Sequence, residues 1–301
     1  MRKKLLIIST VSLVGVFVAI RLVLAHHGQS SVSFEVNSSP LLAAIDHGDF
    51  AEFDRLIAAG LDPNTEVDGL SALHHAVRAD NGRIVTRLLE AHVDANGLNR
   101  YRESPLIASI GNHPHAFDAL LRGGADPNLT CGEFTPLTWL LNCHAASWQL
   151  RELLDSGADP NLIGVNKRTP LETAAWIGTP ESIDILIEKG VQCGPKEGWR
   201  ALYNAAIGVG INNIDCLLRH GVDPDAAGGP HNFTVFQTLV ADSYRFKIAS
   251  HLVDVGADPE RPFPDGGTTM SIARGTNNWE LIELLNKRAE KRAKAKGEPI
   301  K

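Results

Sequence analysis

The sequence predicts an all-α chain, a solenoid of helix–turn–helix repeats, and three observations predict it. A helix stop, Gly157-Ala158-Asp159-Pro160-Asn161, recurs with its Asp or equivalent at 62, 94, 126, 159, 192, 223 and 258, in steps of 31 to 35 residues. Its Gly suits the left-handed position that ends a helix, and its Pro cannot continue one. A helix start follows each stop, as in Thr169-Pro170-Leu171, where Thr can cap the new helix and Pro takes a position that needs no N–H. Apolar residues recur at three-to-four spacing between these signals, and a period near 33 with two helices per unit is a repeat array.

The elements follow in order. Residues 1–25 open with Arg2-Lys3-Lys4, run uncharged from Leu5 to Ile20, and continue through Arg21 to Ala25. This reads as one apolar helix, either a membrane anchor reaching about 20 residues to Leu24 or a cleaved signal ending at Val23-x-Ala25. Either way the basic start stays in the cytoplasm and the rest faces outward. Its simple form suggests a bacterial envelope, placing the repeats in the periplasm on a single-pass inner-membrane anchor, or soluble there after cleavage. Residues 26–37 are a polar linker, and His26-His27 lacks a third ligand that would suggest a metal.

Residues 38–286 hold about eight helix pairs. The starts are Ser39-Pro40, Ser71-Ala72, Ser104-Pro105, Thr135-Pro136, Thr169-Pro170, Arg200-Ala201, Thr234-Val235 and Thr268-Thr269. The apolar stripes include Leu41 and Phe53, Ile84 and Leu88, Phe117 and Leu120, Trp148 and Leu153, Ile183 and Leu186, Ile214 and Leu217, Phe246 and Leu252, and Trp279 and Leu285. One unit cannot bury its stripe alone, so these residues are expected to form a stacked core. Glu280, Glu283 and Lys287 give the last pair a polar outer face. Residues 287–301 are a basic tail, a solvated extension or a contact for an anionic surface.

Charge narrows the partner. The total is −6, with +4 in residues 1–25 and +5 in residues 287–301, which leaves −15 for the body. An acidic body argues against nucleic acid and is compatible with a basic protein partner. No Gly-x-Ser-x-Gly elbow, His-Glu-x-x-His, Walker loop or dinucleotide fingerprint occurs. An open solenoid also offers no closed pocket for catalysis, so neither an enzyme nor a cofactor is expected. Cys131, Cys143, Cys193 and Cys216 have no Cys-x-x-Cys spacing, which argues against zinc, and the favoured reading is four reduced thiols with Cys216 buried.

The quoted starts and stops resemble the ankyrin repeat family, with its Thr-Pro-Leu-His, Ala-rich first helix, Leu-rich second helix and Gly-Ala-Asp-x-Asn. The resemblance covers about residues 38–290. Only Ser71-Ala72-Leu73-His74 keeps the His after Leu; the other units carry Ile107, Thr138, Glu172, Tyr203, Gln237 and Ser271 there. The family implies a non-catalytic protein-binding module, expected here as a monomer, that uses its finger loops and first helices. Carried over, the finger positions include Glu66, Asp68, Asn99, Arg100, Tyr101, Glu133, Phe134, Asn166, Lys167, Glu197, Trp199, His231, Phe233 and Phe263, and the helix positions include His75, Arg78, Trp139, Asn142, Trp176 and Asn204. Aromatic residues at such positions suit interface anchors, with Tyr101, Trp176 and Trp199 the strongest candidates. Phe134 and Trp139 can equally pack between repeats. A narrower reading is an immunity protein whose acidic fingers block a basic toxin in the envelope; an accessory subunit of an enzyme is a third.

Overall fold

A computed structural model describes residues 39–296, apart from 165, 166, 209, 241, 243 and 244. The segment 1–25, the linker 26–37, the finger position Asn166 and residues 297–301 lie outside the described residues. Among the described residues no helix is long and apolar enough to cross a membrane, and the stretch Leu5–Leu24 is not among them.

The helices come in consecutive pairs. They are α1 (Pro40–Asp46) with α2 (Phe50–Ala58), α3 (Ala72–Arg78) with α4 (Gly82–Glu90), α5 (Pro105–Ser109) with α6 (Pro114–Arg122), and α7 (Pro136–Asn142) with α8 (Ser147–Asp155). Then come α9 (Pro170–Ile177) with α10 (Pro180–Glu188), α11 (Pro195–Ile207) with α12 (Ile211–Arg219), α13 (Val235–Leu239) with α14 (Phe246–Asp254), and α15 (Thr269–Gly275) with α16 (Trp279–Lys296). First helices begin where a hydroxyl can accept a backbone N–H. Ser71, Ser104, Thr135, Thr169, Thr234 and Thr268 each cap the amide three residues on, each worth about 1 kcal/mol.

The recurring stop wires one unit to the next. Within it the Asp carboxylate accepts the amide two residues on, as at Asp126–Asn128 (2.8 Å) and Asp159–Asn161 (2.8 Å). The Asn oxygen then accepts the Asp amide of the following unit: Asp126 N donates to Asn96 Oδ1 at 2.8 Å, and Asp159 N to Asn128 Oδ1 at 2.7 Å. Asp225 takes the Asn place and accepts from Asp258 N at 2.9 Å. The periodic motif is therefore both the end of a helix and a tie between neighbours.

The core is one continuous strip. Phe53, Ile84, Leu88, Phe117, Leu120, Leu153, Ile183, Leu186, Ile214, Leu217 and Leu252 are buried in a single cluster. Phe246 is half-buried against it, and two other expected core residues are exposed. Trp279, at the start of α16, is 71% exposed, and Trp148 is 44% exposed with its ring edge-on to Phe117 at 5.8 Å. Both stand near the starts of second helices, two residues or about half a turn ahead of Leu281 and Leu150, so they face away from the buried stripe formed with Leu285 and Leu153.

Three further differences from the sequence reading have local causes. The helix expected from Arg200 begins at Pro195, because Gly194-Pro195 opens α11 before any Ser or Thr cap is needed. The basic segment from Lys287 shows no break at 286; α16 runs on to Lys296, since nothing between them stops a helix. The chain also carries short hairpins. Strands β1 (Glu66–Val67) and β2 (Leu70–Ser71) pair antiparallel across Asp68 (φ +54°) and Gly69 (φ +71°). Two consecutive positive φ values make a type I′ turn, for which Asp-Gly is a preferred pair. Strands β3 (Ala227–Gly228) and β4 (Phe233–Thr234) form a second hairpin in a later finger.

Candidate functional site

The fingers and first helices place the expected contact residues in three different situations. Glu66 and Asp68 are exposed on the first hairpin, and Arg78 is exposed at the end of α3. His75 turns to the preceding unit, with Nδ1 3.1 Å from Asp46 Oδ1, and its Nε2 is buried without a partner among the described residues.

Tyr101 is held out from a built finger. Buried Asn99 accepts the amides of Tyr101 (2.8 Å) and Glu103 (3.0 Å) on one oxygen, which fixes the loop. Arg100 N donates to Gly69 O at 2.9 Å, tying this finger to the hairpin before it. The Arg100 guanidinium lies 4.8 Å from the Tyr101 ring centre and donates to the phenol oxygen at 2.7 Å. The ring is thus pre-positioned while 54% exposed. Trp176, in the last turn of α9, is half-buried with the Arg168 guanidinium 3.9 Å over its ring. Burial lowers the pKa of Arg168. That Arg–Trp pair was missed in the sequence because the two residues lie eight apart, across the helix start.

The remaining aromatics pack within the array. Phe134 and Trp139 are half-buried and meet edge to face at 5.1 Å, beside the Cys131–Phe134 bridge. Trp199 is not at a loop tip, because α11 has already begun. Its ring stacks on Tyr203 at 5.4 Å and covers Gly228 and Gly229 of the β3–β4 hairpin, where an added Cβ would lie within 3 Å of it. Trp199 therefore joins two units, and its indole Nε1 is buried without a partner among the described residues.

The position after Leu still reaches the next finger, with different chemistry in different units. His74 Nε2 is 3.1 Å from Glu103 O, and burial lowers the pKa of the ring. Glu172 is buried and pairs with Arg200 at 2.6 Å; burial raises its pKa against the pull of that guanidinium. Gln237 donates from Nε2 to Arg261 O and Pro262 O at 3.1 and 3.2 Å.

The exposed finger charges are of both signs. Glu66, Asp68 and Glu133 stand among Arg100, Arg102, Lys167 and Arg261, while Glu197 and Arg200 lie within α11. Much of the exposed acidic charge lies in the turns and second helices, at Asp62, Asp94, Asp126, Asp159, Glu90, Asp155 and Glu188. An open groove of about 880 Å³ also lies there, between α4 and α6, lined by Asp80, Arg83, Glu90, His115, Asp118 and Arg122. It is open to solvent and holds none of the expected contact residues.

Comparison with known proteins supports the same reading. Residues 40–131 match the family described as "Ankyrin repeats (3 copies)". The chain is 24% identical over 269 residues to the transient receptor potential cation channel subfamily A member 1 of Homo sapiens, covering 83% of this chain and 24% of that protein. It is 30% identical over 136 residues to the neurogenic locus notch homolog protein 1 of Danio rerio, covering 44% of this chain and 6% of that protein. Against the mitochondrial disaggregase of Homo sapiens it is 26% identical over 218 residues, covering 71% and 26% respectively. The chain thus spans about a quarter or less of these relatives' length. On the family match and the paired helices, residues 40–131 are ankyrin repeats.

Proposed function

We propose that the array is a non-catalytic module that binds a protein partner through its finger side, with Tyr101 and Trp176 as aromatic anchors. Ankyrin-type units continue to α16, about eight in all, in a single copy of the chain. The observation that carries this is Tyr101, a large ring held exposed by Arg100 on a finger whose own polar groups are satisfied. A ring ordered in advance loses little freedom when it is covered, which is how interface anchors contribute. Arg100 lies against the ring, and the hairpin tied to it through Gly69 carries exposed Glu66 and Asp68, so the partner surface it fits is polar and of mixed sign rather than basic. The acidic-finger argument for neutralising a basic toxin loses its basis for the same reason.

Alanine at Tyr101 or Trp176 should weaken capture of the partner by about 2 kcal/mol each, with little change in melting temperature. Alanine at Lys189, exposed beyond α10, should do neither. Normal binding by both aromatic variants would place the contact elsewhere.

The basic start and uncharged run of residues 1–25 further support display on the outer side of an inner membrane, by an anchor or after cleavage. A reporter enzyme active only outside the cytoplasm, fused after Lys301, should then be active. A well-expressed but silent fusion would refute that placement.

A further inference from the structure

We propose that Asp184, Cys216 and His220 form a binding site for a thiophilic divalent cation, zinc or a metal of its class. The site joins the second helices of two successive units. Asp184 sits in the middle of α10; Cys216 lies in α12 and His220 caps its end. Four residues apart on one helix, Cys216 and His220 face the same way. Asp184 Oδ1 is 2.6 Å from His220 Nε2 and 3.2 Å from Cys216 Sγ, and the three donor atoms lie within 4.8 Å of one another.

The donor set is that of a borderline-soft metal: one thiolate, one imidazole and one carboxylate. Zinc bonds of about 2.0–2.3 Å in a tetrahedron separate neighbouring ligand atoms by roughly 3.3–3.7 Å. The side chains are already close to that spacing, and His220 and Asp184 need part by only about 1 Å. Both are partly exposed while Cys216 is buried, so a cation would enter from the second-helix surface and meet the thiol at the inner end. Water would take the fourth place. The cation replaces the thiol proton, which leaves to solvent.

The next unit supplies an internal contrast. His251 of α14 stands where Cys216 stands in α12 and contacts Asp215 at 2.6 Å, while Val255 stands where His220 does. An Asp–His tie between second helices is thus a recurrent feature of the array, but among the described residues only the Asp184 level adds a sulfur and a third donor. The Cys spacing along the chain gave no sign of this, because the ligands come from two units.

The test is cobalt(II) titration of the reduced full-length chain in detergent. Cobalt takes zinc's place and gives an ultraviolet charge-transfer band only when a thiolate binds it. The expected result is one equivalent bound with that band, displaced by zinc. Cys216→Ser should abolish the band. His220→Gln, at an exposed helix end where folding is not at stake, and Asp184→Asn should each weaken cobalt binding by at least about tenfold. Asp215→Asn should leave it unchanged. No thiolate band, a band that survives Cys216→Ser, or unchanged affinity in His220→Gln would overturn the proposal.

Discussion

Phe117→Ala should lower the stability of the array by about 3–5 kcal/mol, the cost of removing a fully buried aromatic ring. Phe117 lies in α6, inside the continuous core. Its ring also takes the edge of Trp148 from α8, so the substitution loosens two units together. In a stacked array each unit is stabilised chiefly by its neighbours, and the loss should appear as a lower urea midpoint for the whole transition. Trp148→Ala removes the same contact from the exposed side and should cost about 1 kcal/mol, the middle of the range for an aromatic pair. Equal effects for the two would contradict the register of the stack.

Gly208→Ala should cost about 3 kcal/mol or more through overpacking. Gly208 closes α11 against the last turn of α9, and a Cβ there would meet the Trp176 carbonyl oxygen at 1.9 Å and its ring carbon Cδ1 at 2.6 Å. Backbone cannot rotate out of the way as the tip of a side chain can, so α9 and α11 must separate. The same shift moves Trp176, and partner capture should fall with stability. Gly275→Ala is the contrast. Gly275 ends α15 with open space around it, and the substitution should be neutral or stabilising by up to about 1 kcal/mol. If Gly208→Ala melted like the parent, the close approach of α9 and α11 would be wrong.

The helix pairs were legible in the sequence because start and stop are local chemistry. A hydroxyl caps three residues ahead and a Gly ends the second helix, and neither depends on tertiary contacts. The one start misplaced, at Arg200, is the one without Ser or Thr, and Pro195 was the available sign. Fates of single aromatics were less legible. Tyr101, Trp176 and Trp199 share a residue class, and Tyr101 and Trp199 each stand seven residues after their stop position, yet Tyr101 projects, Trp176 lies half-covered under Arg168, and Trp199 packs on Tyr203 and two glycines. What separates them is the neighbouring unit: Gly228 and Gly229 make room for Trp199, and the repeat pattern of one unit does not encode the next. The Asp68-Gly69 turn was readable, since the pair stands between Val67 and Leu70, but the repeat reading treated every finger as a loop. The fold-level cause also hides the Asp184–Cys216–His220 cluster, whose members are 32 and 36 residues apart.

The central claim is that the finger side binds a protein. A photo-crosslinking residue placed at position 101, and separately at position 189 beyond α10, tests it most directly in cells that make the full chain. Cross-linking of one discrete protein from position 101, and none from position 189, is the predicted result. A discrete product from position 189 with none from position 101 would contradict it.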